Sequence, residues 1–270
     1  MIPITSKNNQ RIKFARKIAG GNNSGFVFVE GERLVREVVE LNFEDTEIFI
    51  SESFADKKPD FLSECGVVSQ KVYLLPEKIF RTLAQTKSSQ GIASICPRPK
   101  TGQDIVEDAL RRPAKEGNTL ILALHEINNP SNLGAILRTA LASDVIAILI
   151  TENSTDPFSP KALRGAMGAT LKIPIWDGIT FTRLIEWAGE NGLITTCADI
   201  SGKRNYVETD WTKPRILIFG SEARGMDYER LAMIDETISI PLENSVESLN
   251  IGVSCGVILF EALRQRRLNQ

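Results

Sequence analysis

Residues 119–141 read TLILALHEINNPSNLGAILRTAL. The first six residues are apolar apart from Thr119, as expected of a strand that is buried on both faces. A polar loop follows, and from Leu133 onward the apolar residues recur at helical spacing. A strand, a loop and a helix in this order form part of a β-α-β unit. This stretch therefore predicts an α/β domain with a parallel sheet.

The same alternation continues to the end of the chain. Apolar runs predict further strands over residues 145–150, 171–175, 193–197, 215–219 and 237–240. Because these runs are almost fully apolar and are separated by helical patterns, we expect a largely parallel sheet that is covered on both faces. A long final helix follows, with Cys255 and Ile258 on its buried stripe. Arginines, among them Arg266, lie in its last turns, where a positive charge interacts favourably with the helix dipole.

The first hundred residues predict a second, smaller α/β domain. Short strands are expected over residues 26–29, 46–50, 71–75 and 91–96, with helices over 32–41 and after Pro76. Stretches rich in proline and polar residues then bracket a short helix, which is typical of a linker. A chain of 270 residues fits two domains at ~150 residues each. We therefore predict domains over residues 1–98 and 118–270, joined by a linker over 99–117.

The composition excludes several classes of protein. Lys plus Arg is 32 and Asp plus Glu is 34, and no apolar run reaches the ~18 residues of a membrane span. Cys65, Cys96, Cys197 and Cys255 lie far apart, which argues against a disulfide framework or a thiolate zinc site and favours a reducing cytoplasm. The single histidine, His125, excludes a multi-histidine metal site. We therefore expect neither a metal nor a membrane partner.

Basic side chains cluster at the start of the chain. They are Lys7, Arg11, Lys13, Arg16 and Lys17, and no acidic residue precedes position 30. Such a cluster predicts contacts with the phosphates of a nucleic acid, because each pairing releases counterions. The alternative is an ordinary solvated helix face, since Lys13 and Lys17 lie one turn apart.

Three polar loops follow predicted strands, at residues 125–134, 219–226 and 240–250. Ligands of open α/β sheets bind beyond the carboxyl ends of the strands, so these loops are candidate site segments. Their candidate residues are Asn132, Arg138, Gly220, Glu222, Ile240, Ser248, Leu249 and Asn250. Each has a simpler alternative. The asparagines and serines are good helix caps, Glu222 fits a solvent-facing turn, and Arg138 fits a surface side chain with a buried stem.

Together the three loops resemble the three motifs of the SpoU (TrmH-type) RNA ribose methyltransferases, a branch of the SPOUT superfamily. The matching strings are NPSNLGAILRTA at 129–140, FGSEARGM at 219–226, IP at 240–241 and SLN at 248–250. The stretches FVEG at 28–31 and SQGI at 89–92 are similar to the small substrate-binding domain of that family, which is related to ribosomal L7Ae/L30-type proteins.

The resemblance implies a C-terminal α/β domain tied in a trefoil knot, a rare exception to un-knotted topology. It implies S-adenosylmethionine as cofactor, held by backbone groups around Gly220, Ile240 and Leu249. Recognition by backbone groups explains how such a site can lack the acidic ribose partner of a dinucleotide fold. The resemblance also implies a homodimer that packs knot against knot, with each active site drawing on both chains. The methyl acceptor that the resemblance implies is a ribose 2′-hydroxyl of rRNA or tRNA.

The resemblance makes Arg138 the central catalytic residue, either as a base or as the group that fixes the target ribose and phosphate. We favour fixation, because a guanidinium is essentially never deprotonated in proteins. Glu222 and Ser248 are expected to orient Arg138 and the RNA, while Asn132 and Asn250 supply hydrogen bonds from fixed positions.

The chain departs from the family pattern at two positions of the third loop. Leu242 stands where Met is expected, a volume-conserving change. Asn244 stands where a glycine is usual, and asparagine tolerates left-handed backbone angles. Two other functions remain open at this stage: an RNA-binding protein with the same fold that lacks turnover, and an unrelated nucleotide-binding α/β protein.

Overall fold

The computed structural model describes residues 1–21, 25–68, 71–112, 119–221 and 225–268, with only the backbone of 65–68. The chain divides into two compact units. The first comprises Met1–Pro99 and Phe158–Leu171, and the second comprises Lys100–Pro157 and Lys172–Gln270. Residues 158–171 thus belong to the first unit, whereas the predicted second domain runs unbroken from residue 118.

The first unit holds a five-stranded sheet in the order β1-β4-β3-β5-β2. Its strands are β1 (Ile2–Pro3), β2 (Phe26–Glu30), β3 (Glu47–Ser51), β4 (Lys71–Leu75) and β5 (Ile92–Pro97). Its helices include α1 (Gln10–Ala19), α2 (Glu32–Leu41), α3 (Glu52–Lys57), α4 (Pro59–Val68) and α5 (Glu77–Phe80). Strand β5 is antiparallel to β2 and β3, and the other pairs are parallel. This part of the chain is the predicted small α/β domain.

The second unit holds a seven-stranded sheet in the order β10-β12-β9-β11-β6-β7-β8, and every pair is parallel. The strands are β6 (Leu120–Leu124), β7 (Ala147–Thr151), β8 (Ile175–Ile179), β9 (Ile194–Ala198), β10 (Arg204–Asn205), β11 (Arg215–Phe219) and β12 (Glu236–Ser239). The helices are α6 (Gln103–Arg111), α7 (Pro130–Ala142), α9 (Phe181–Glu190), α10 (Tyr228–Leu231) and α11 (Ile251–Leu268). Helix α8 (Pro160–Ala166) belongs to the first unit and packs on β2. The predicted α/β class with a largely parallel sheet is confirmed.

One predicted strand is misplaced. The run at residues 171–175 was expected to be a strand, but Leu171 ends a 3-10 turn and the strand β8 begins only at Ile175. Pro174 lies between them, and proline cannot donate to a strand ladder. Its carbonyl instead accepts from the amide of Ile148. Because β8 is an edge strand with exposed Gly178 and half-buried neighbours, its sequence lacks the apolar signal of a buried strand.

Helix α11 follows β12, which lies next to the edge strand β10, and packs along α7. Two glycines of α11 face small side chains of α7. A Cβ at Gly252 would lie 3.9 Å from the Cβ of Ala135, and one at Gly256 would lie 3.8 Å from Cγ2 of Thr139. The two helices therefore meet along a seam of small side chains.

Arg266 has a structural role beyond the interaction with the helix dipole that the sequence predicts. Its side chain is 5% exposed, and Nη2 donates to the carbonyl of Ser143, 2.9 Å away, at the end of α7. Burial lowers the pKa of this guanidinium, although the nearby Asp144 acts in the opposite direction. Arg266 thus ties α11 to α7. No helix in the described part of the chain is long and apolar enough to cross a bilayer.

Candidate cofactor and active site

A cavity of about 500 Å³ opens at the carboxyl ends of β9, β11 and β12. Parallel strands end at the same edge of a sheet, so the loops that follow them meet there. Of the residues predicted from the sequence, these line the cavity: Asn132, Gly220, Ile240, Ser248, Leu249 and Asn250. The three polar loops, far apart in the sequence, therefore converge on one cavity.

The described ends of the second loop meet in one wall of this cavity. The amide of Gly225 donates to the carbonyl of Ser221 over 2.8 Å, and Gly225 has a positive φ of 63°. The backbone of Gly220 lies directly against that of Gly225, so a Cβ at Gly220 would stand 2.8 Å from the Gly225 carbonyl. Only glycine fits there without displacing backbone. Glu222, predicted for catalysis, lies outside the described residues.

The third loop presents backbone groups to the cavity. Among the described residues, none accepts a hydrogen bond from the amide of Ile240, Leu242 or Leu249. Asn244 has a φ of 55°, the left-handed conformation that asparagine tolerates in place of glycine. Asn244 thus adopts the backbone conformation for which a glycine would be suited. The backbone donors of the loop are available to a bound molecule.

A hydrogen bond joins the first and third loops. Nδ2 of Asn250 donates to Oδ1 of Asn132 over 3.3 Å, while Oδ1 of Asn250 accepts from the amide of Gly252 over 2.9 Å. Asn250 therefore caps α11 and lines the cavity at once. At the start of α7 the cap is Asn129, which accepts from the amide of Ser131, so the capping alternative for Asn132 and Ser131 is wrong.

Arg138 stands apart from the cavity formed by its own chain. It is exposed and is not among the cavity-lining residues. It forms no ion pair or hydrogen bond with any residue that the structure describes. Arg138 shares the exposed face of α7 with Ala135 and Leu141. On the adjoining helix α11, Val253 and Phe260 are each 52% exposed. Together these side chains make a largely apolar face that carries one unpaired cation.

Asp199 is the lining residue that the sequence interpretation missed. It follows β9 directly, and the expected cofactor site, held by backbone groups, had no acidic partner for the ribose. Ile200, Ser254 and Ile258 also line the cavity. Asp199 could have been found in the same way as the other loops, because residues 199–202 form a glycine-bearing turn just after the predicted strand over 193–197.

The lining fits S-adenosylmethionine by its chemistry. Phe219, Ile238 and Leu249 supply apolar surface for a flat heteroaromatic ring. The amides of Ile240 and Leu242 are donors without a described partner, and Ser248 adds a hydroxyl. A ligand with an adenine ring and several polar groups matches this mixture. The residues that would hold it are those named for the cofactor: Gly220, Ile240 and Leu249.

The basic cluster of the first unit lies on and just before α1. Nη1 of Arg11 pairs with Glu47 at 3.1 Å, and Nε of Arg16 donates to Oγ1 of Thr82 over 3.0 Å. The lysines of the cluster, Lys7, Lys13 and Lys17, are exposed. The cluster thus contains two arginines with partners inside the unit and three lysines directed to solvent.

Other reactive groups lie away from the cavity. His125 is buried after β6, with Nδ1 3.0 Å from Oγ1 of Thr151, and burial lowers its pKa. Burial raises the pKa of the Cys96 and Cys197 thiols to about 12, so neither is a nucleophile near neutral pH. Within the described residues there is no group of three metal-ligating side chains.

A parallel α/β unit with a cofactor-sized cavity, in one chain with a small α/β unit that carries a basic helix, is typical of cofactor-dependent enzymes that act on nucleic acids. Residues 119–260 match the model of the SpoU rRNA Methylase family. Residues 28–102 match the model named RNA 2′-O ribose methyltransferase substrate binding. The chain belongs to the SpoU methylase family.

Individual relatives agree with this assignment. The chain is 30% identical over 245 residues to the 23S rRNA (guanosine-2′-O-)-methyltransferase RlmB of Coxiella burnetii, covering 90% of this chain and 92% of that protein. The AdoMet-bound rRNA methyltransferase of Sinorhizobium meliloti superposes with a TM-score of 0.82 at 24% identity, covering 97% of each chain. The A. aeolicus TrmH/SpoU tRNA modifying enzyme superposes with a TM-score of 0.51 at 27% identity, covering 62% of this chain and 83% of that one.

Proposed function

We propose that this protein transfers the methyl group of S-adenosylmethionine to a ribose 2′-hydroxyl of ribosomal RNA, as a cytoplasmic homodimer. The observation that carries the proposal is the convergence of the three SpoU motif loops on one cavity. The domain predicted over residues 1–98 would bind the RNA, and the domain over 118–270 would carry out transfer, with the linker over 99–117 between them.

Ribosomal RNA is favoured over tRNA by the extent of the likeness. The Coxiella relative, named for 23S rRNA, matches over 90% of this chain. The A. aeolicus enzyme, named for tRNA, covers only 62% of it. A substrate-binding region at residues 28–102 therefore accompanies the likeness to the rRNA enzyme. Large structured RNAs are recognised by shape, for which an accessory domain is suited.

The chemistry asks little of the protein beyond positioning. When bound, S-adenosylmethionine would supply a methyl group that its sulfonium already activates. The ribose oxygen would attack the methyl carbon in line with the departing sulfur. Correct alignment alone contributes ~7–11 kcal/mol to such a step. The cavity residues Asn132, Asn250 and Ser248 are placed to orient the ribose and its neighbours. As the new C–O bond forms and the bond between methyl carbon and sulfur breaks, the 2′-hydroxyl would release its proton to solvent water.

Arg138 supports that loss of a proton without accepting it. Its guanidinium can hold an RNA phosphate with two hydrogen bonds and stabilise negative charge on the ribose oxygen. Glu222 and Ser248 remain the groups that we propose to orient Arg138 and the RNA. The exposed lysines Lys7, Lys13 and Lys17, with Arg11 and Arg16, would contact phosphates at a distance from the reaction.

A homodimer accounts for the exposed position of Arg138. The apolar face beside it, which includes Leu141, Val253 and Phe260, is suited to burial against a second copy. In a two-fold dimer this face meets itself, so Arg138 of each chain lies next to the partner. We propose that Arg138 completes the active site of the other chain.

A methyl-transfer assay tests the activity. Purified protein is incubated with labelled S-adenosylmethionine and ribosomal RNA from cells that lack it, and the methylated nucleotides are mapped. We expect 2′-O-methylation at a defined nucleotide, and an Arg138→Ala rate lower by about 10²–10³-fold. Arg111→Ala, an exposed arginine on α6, is the control and should keep full activity. RNA binding without any transfer would instead support an RNA-binding protein that lacks turnover.

A mixed dimer tests the shared active site. Arg138→Ala and Gly220→Ala chains are co-expressed with different tags, and only dimers carrying both tags are purified. If Arg138 acts in the partner's site, one of the two sites is intact and activity is about half that of wild type. Activity as low as that of each parent variant would show that Arg138 serves the cavity of its own chain.

A further inference from the structure

Asp199 begins a tight turn that fixes its carboxylate. Oδ1 accepts from the amide of Ser201 over 2.8 Å and from its hydroxyl over 2.6 Å. The backbone carbonyl of Asp199 accepts from the amide of Gly202 over 3.1 Å, and its amide donates to the carbonyl of Ile238 over 2.9 Å. An aspartate that closes its own turn in this way has a defined side-chain orientation.

Gly202 holds this turn against the neighbouring strand. A Cβ at Gly202 would lie 2.2 Å from the carbonyl carbon of Ile238 and 2.6 Å from the amide nitrogen of Ser239. The turn therefore sits on the backbone of β12 at a distance that only glycine allows. Since β12 also leads into the third loop, the carboxylate is held in register with the rest of the cavity.

The second oxygen of the carboxylate faces the cavity. Asp199 is among the lining residues, and no described residue donates to Oδ2. Oδ2 would lie 3.6 Å from a Cβ at Gly225, so the absence of a side chain there leaves open space in front of it. A half-buried carboxylate oxygen with its partner oxygen already bonded, facing a ligand cavity, is a ready acceptor for a hydroxyl donor.

We infer that Asp199 binds the ribose hydroxyls of the cofactor and so determines the affinity for it. The inference rests on the proposed function, because the cavity must hold an adenosine. Two features favour hydroxyls over the ammonium of the methionine part. Only one carboxylate oxygen is available, and Ile200 and Phe219 make the surroundings apolar. In α/β folds that bind nucleotides, an acid at the end of a neighbouring strand receives the ribose hydroxyls.

Binding measurements with truncated ligands test this assignment. We would measure the affinity of wild type and Asp199→Asn for S-adenosylhomocysteine, for 5′-methylthioadenosine and for the 2′,3′-dideoxy form of the latter. Methylthioadenosine lacks the amino-acid part, and its dideoxy form lacks the hydroxyls. Asparagine keeps the shape of the side chain and an acceptor for Ser201. Glu243→Gln, which removes a charge from an exposed site in the third loop, is the control.

We expect Asp199→Asn to weaken S-adenosylhomocysteine and methylthioadenosine by about 10- to 100-fold, the loss typical of a charge-assisted hydrogen bond. The dideoxy ligand should bind both proteins with nearly equal affinity, and Glu243→Gln should match wild type. An equal loss for the dideoxy ligand would overturn the inference. So would a loss confined to S-adenosylhomocysteine, because the partner would then be the ammonium.

The same measurements separate this inference from the proposed function. If wild type does not bind S-adenosylhomocysteine, both are wrong. If wild type binds it and Asp199→Asn binds it equally, the function stands and the role of Asp199 is wrong. A thermal unfolding temperature within about 2 °C of wild type confirms that the variant is folded. Should it unfold early, Asp199→Ser, which keeps an oxygen for the turn, replaces it.

Discussion

The two units hold their candidate residues in different ways. In the second unit these residues lie in loops that are bonded to each other, as Asn132 and Asn250 are, or pressed against backbone, as Gly220 is. In the first unit they are lysines on the solvent face of α1 and just before it, such as Lys7, Lys13 and Lys17.

This difference matches two physical tasks. A group that aligns reacting atoms must be fixed to fractions of an ångström, so its neighbours are constrained too. A cation that attracts phosphate acts through a salt-dependent field and needs no single geometry. Variants of the candidate residues in the second unit should therefore cause large losses of cofactor affinity or methyl transfer that depend on the position. Variants of the lysines in the first unit should cause smaller losses of RNA affinity that add up.

The largest effect is expected where backbone approaches backbone. Gly220→Ala places a Cβ 2.8 Å from the Gly225 carbonyl, and only a shift of the second loop can relieve the clash. We expect the affinity for S-adenosylhomocysteine to fall by about 100-fold, as for an overpacked site. Gly189→Ala, on α9 with no atom within 4 Å of the added Cβ, should leave affinity unchanged. Similar affinities for the two variants would show that the second loop is not rigid.

Two adjacent arginines of α11 provide the next comparison. Arg266 is buried and bonded to the carbonyl of Ser143, whereas Arg267 is exposed. Arg266→Met leaves that carbonyl without its charged donor, and we expect a loss of about 2 kcal/mol in the free energy of unfolding. Arg267→Met should change it by less than about 0.5 kcal/mol. Denaturant unfolding of both variants measures the difference. Equal losses would mean that α11 is not tied to α7 through Arg266.

Much of the fold follows from local sequence signals. The strands at residues 71–75 and 215–219 and the helix over 32–41 have the bounds that periodicity predicts. Local sequence signals do not predict elements whose structure depends on contacts with distant parts of the chain. The edge strand β8 lacks an apolar run, and the short strand β10 is formed by two residues paired only with β12. No local pattern shows that residues 158–171 pack with the first unit.

The residues of the site that lie in loops directly after predicted strands could be found from the sequence. Asn132, Gly220 and Asn250 were found from loops that follow apolar strands, and they meet at one cavity. Asp199 was missed although it obeys the same rule. The exposed position of Arg138 matches the surface alternative that the sequence offered, whereas its place beside α11 depends on which face of α7 that helix covers. Burial of Arg266 likewise depends on a partner more than a hundred residues away.

The exposed lysines of α1 test whether residues of the first unit contribute to RNA binding through their charge. Lys13→Glu with Lys17→Glu should weaken RNA binding by about tenfold and lower the slope of log affinity against log salt by about 1–2, because two phosphate contacts are lost. Stability should be unchanged, since both side chains are exposed. Titrations of ribosomal RNA at several salt concentrations measure the slope. Lys57→Glu with Lys78→Glu, two exposed lysines elsewhere in the unit, changes the net charge equally.

An unchanged slope for the α1 pair, or an equal change for the control pair, would make α1 an ordinary solvated face. Arg11 and Arg16 are less suitable for this test. Their partners Glu47 and Thr82 lie within the unit, so their replacement alters stability as well as binding. The lysine pair therefore isolates the effect of charge from the effect of folding.

The smallest expected effect concerns His125, a fixed group of the second unit. Burial lowers its pKa, so the folded protein keeps the ring neutral while the unfolded chain binds a proton below about pH 6.5. Stability should therefore be full above about pH 6.5 and fall as the pH drops from there towards about 5.5. Because His125 is the only histidine and lowered pKa values put Asp210 and Asp227 below this window, His125→Asn should remove the dependence. The unfolding temperatures of wild type and His125→Asn are measured between pH 5.5 and 7.5 at constant ionic strength. If the two temperatures change with pH in parallel, the ring is not held neutral in the folded protein.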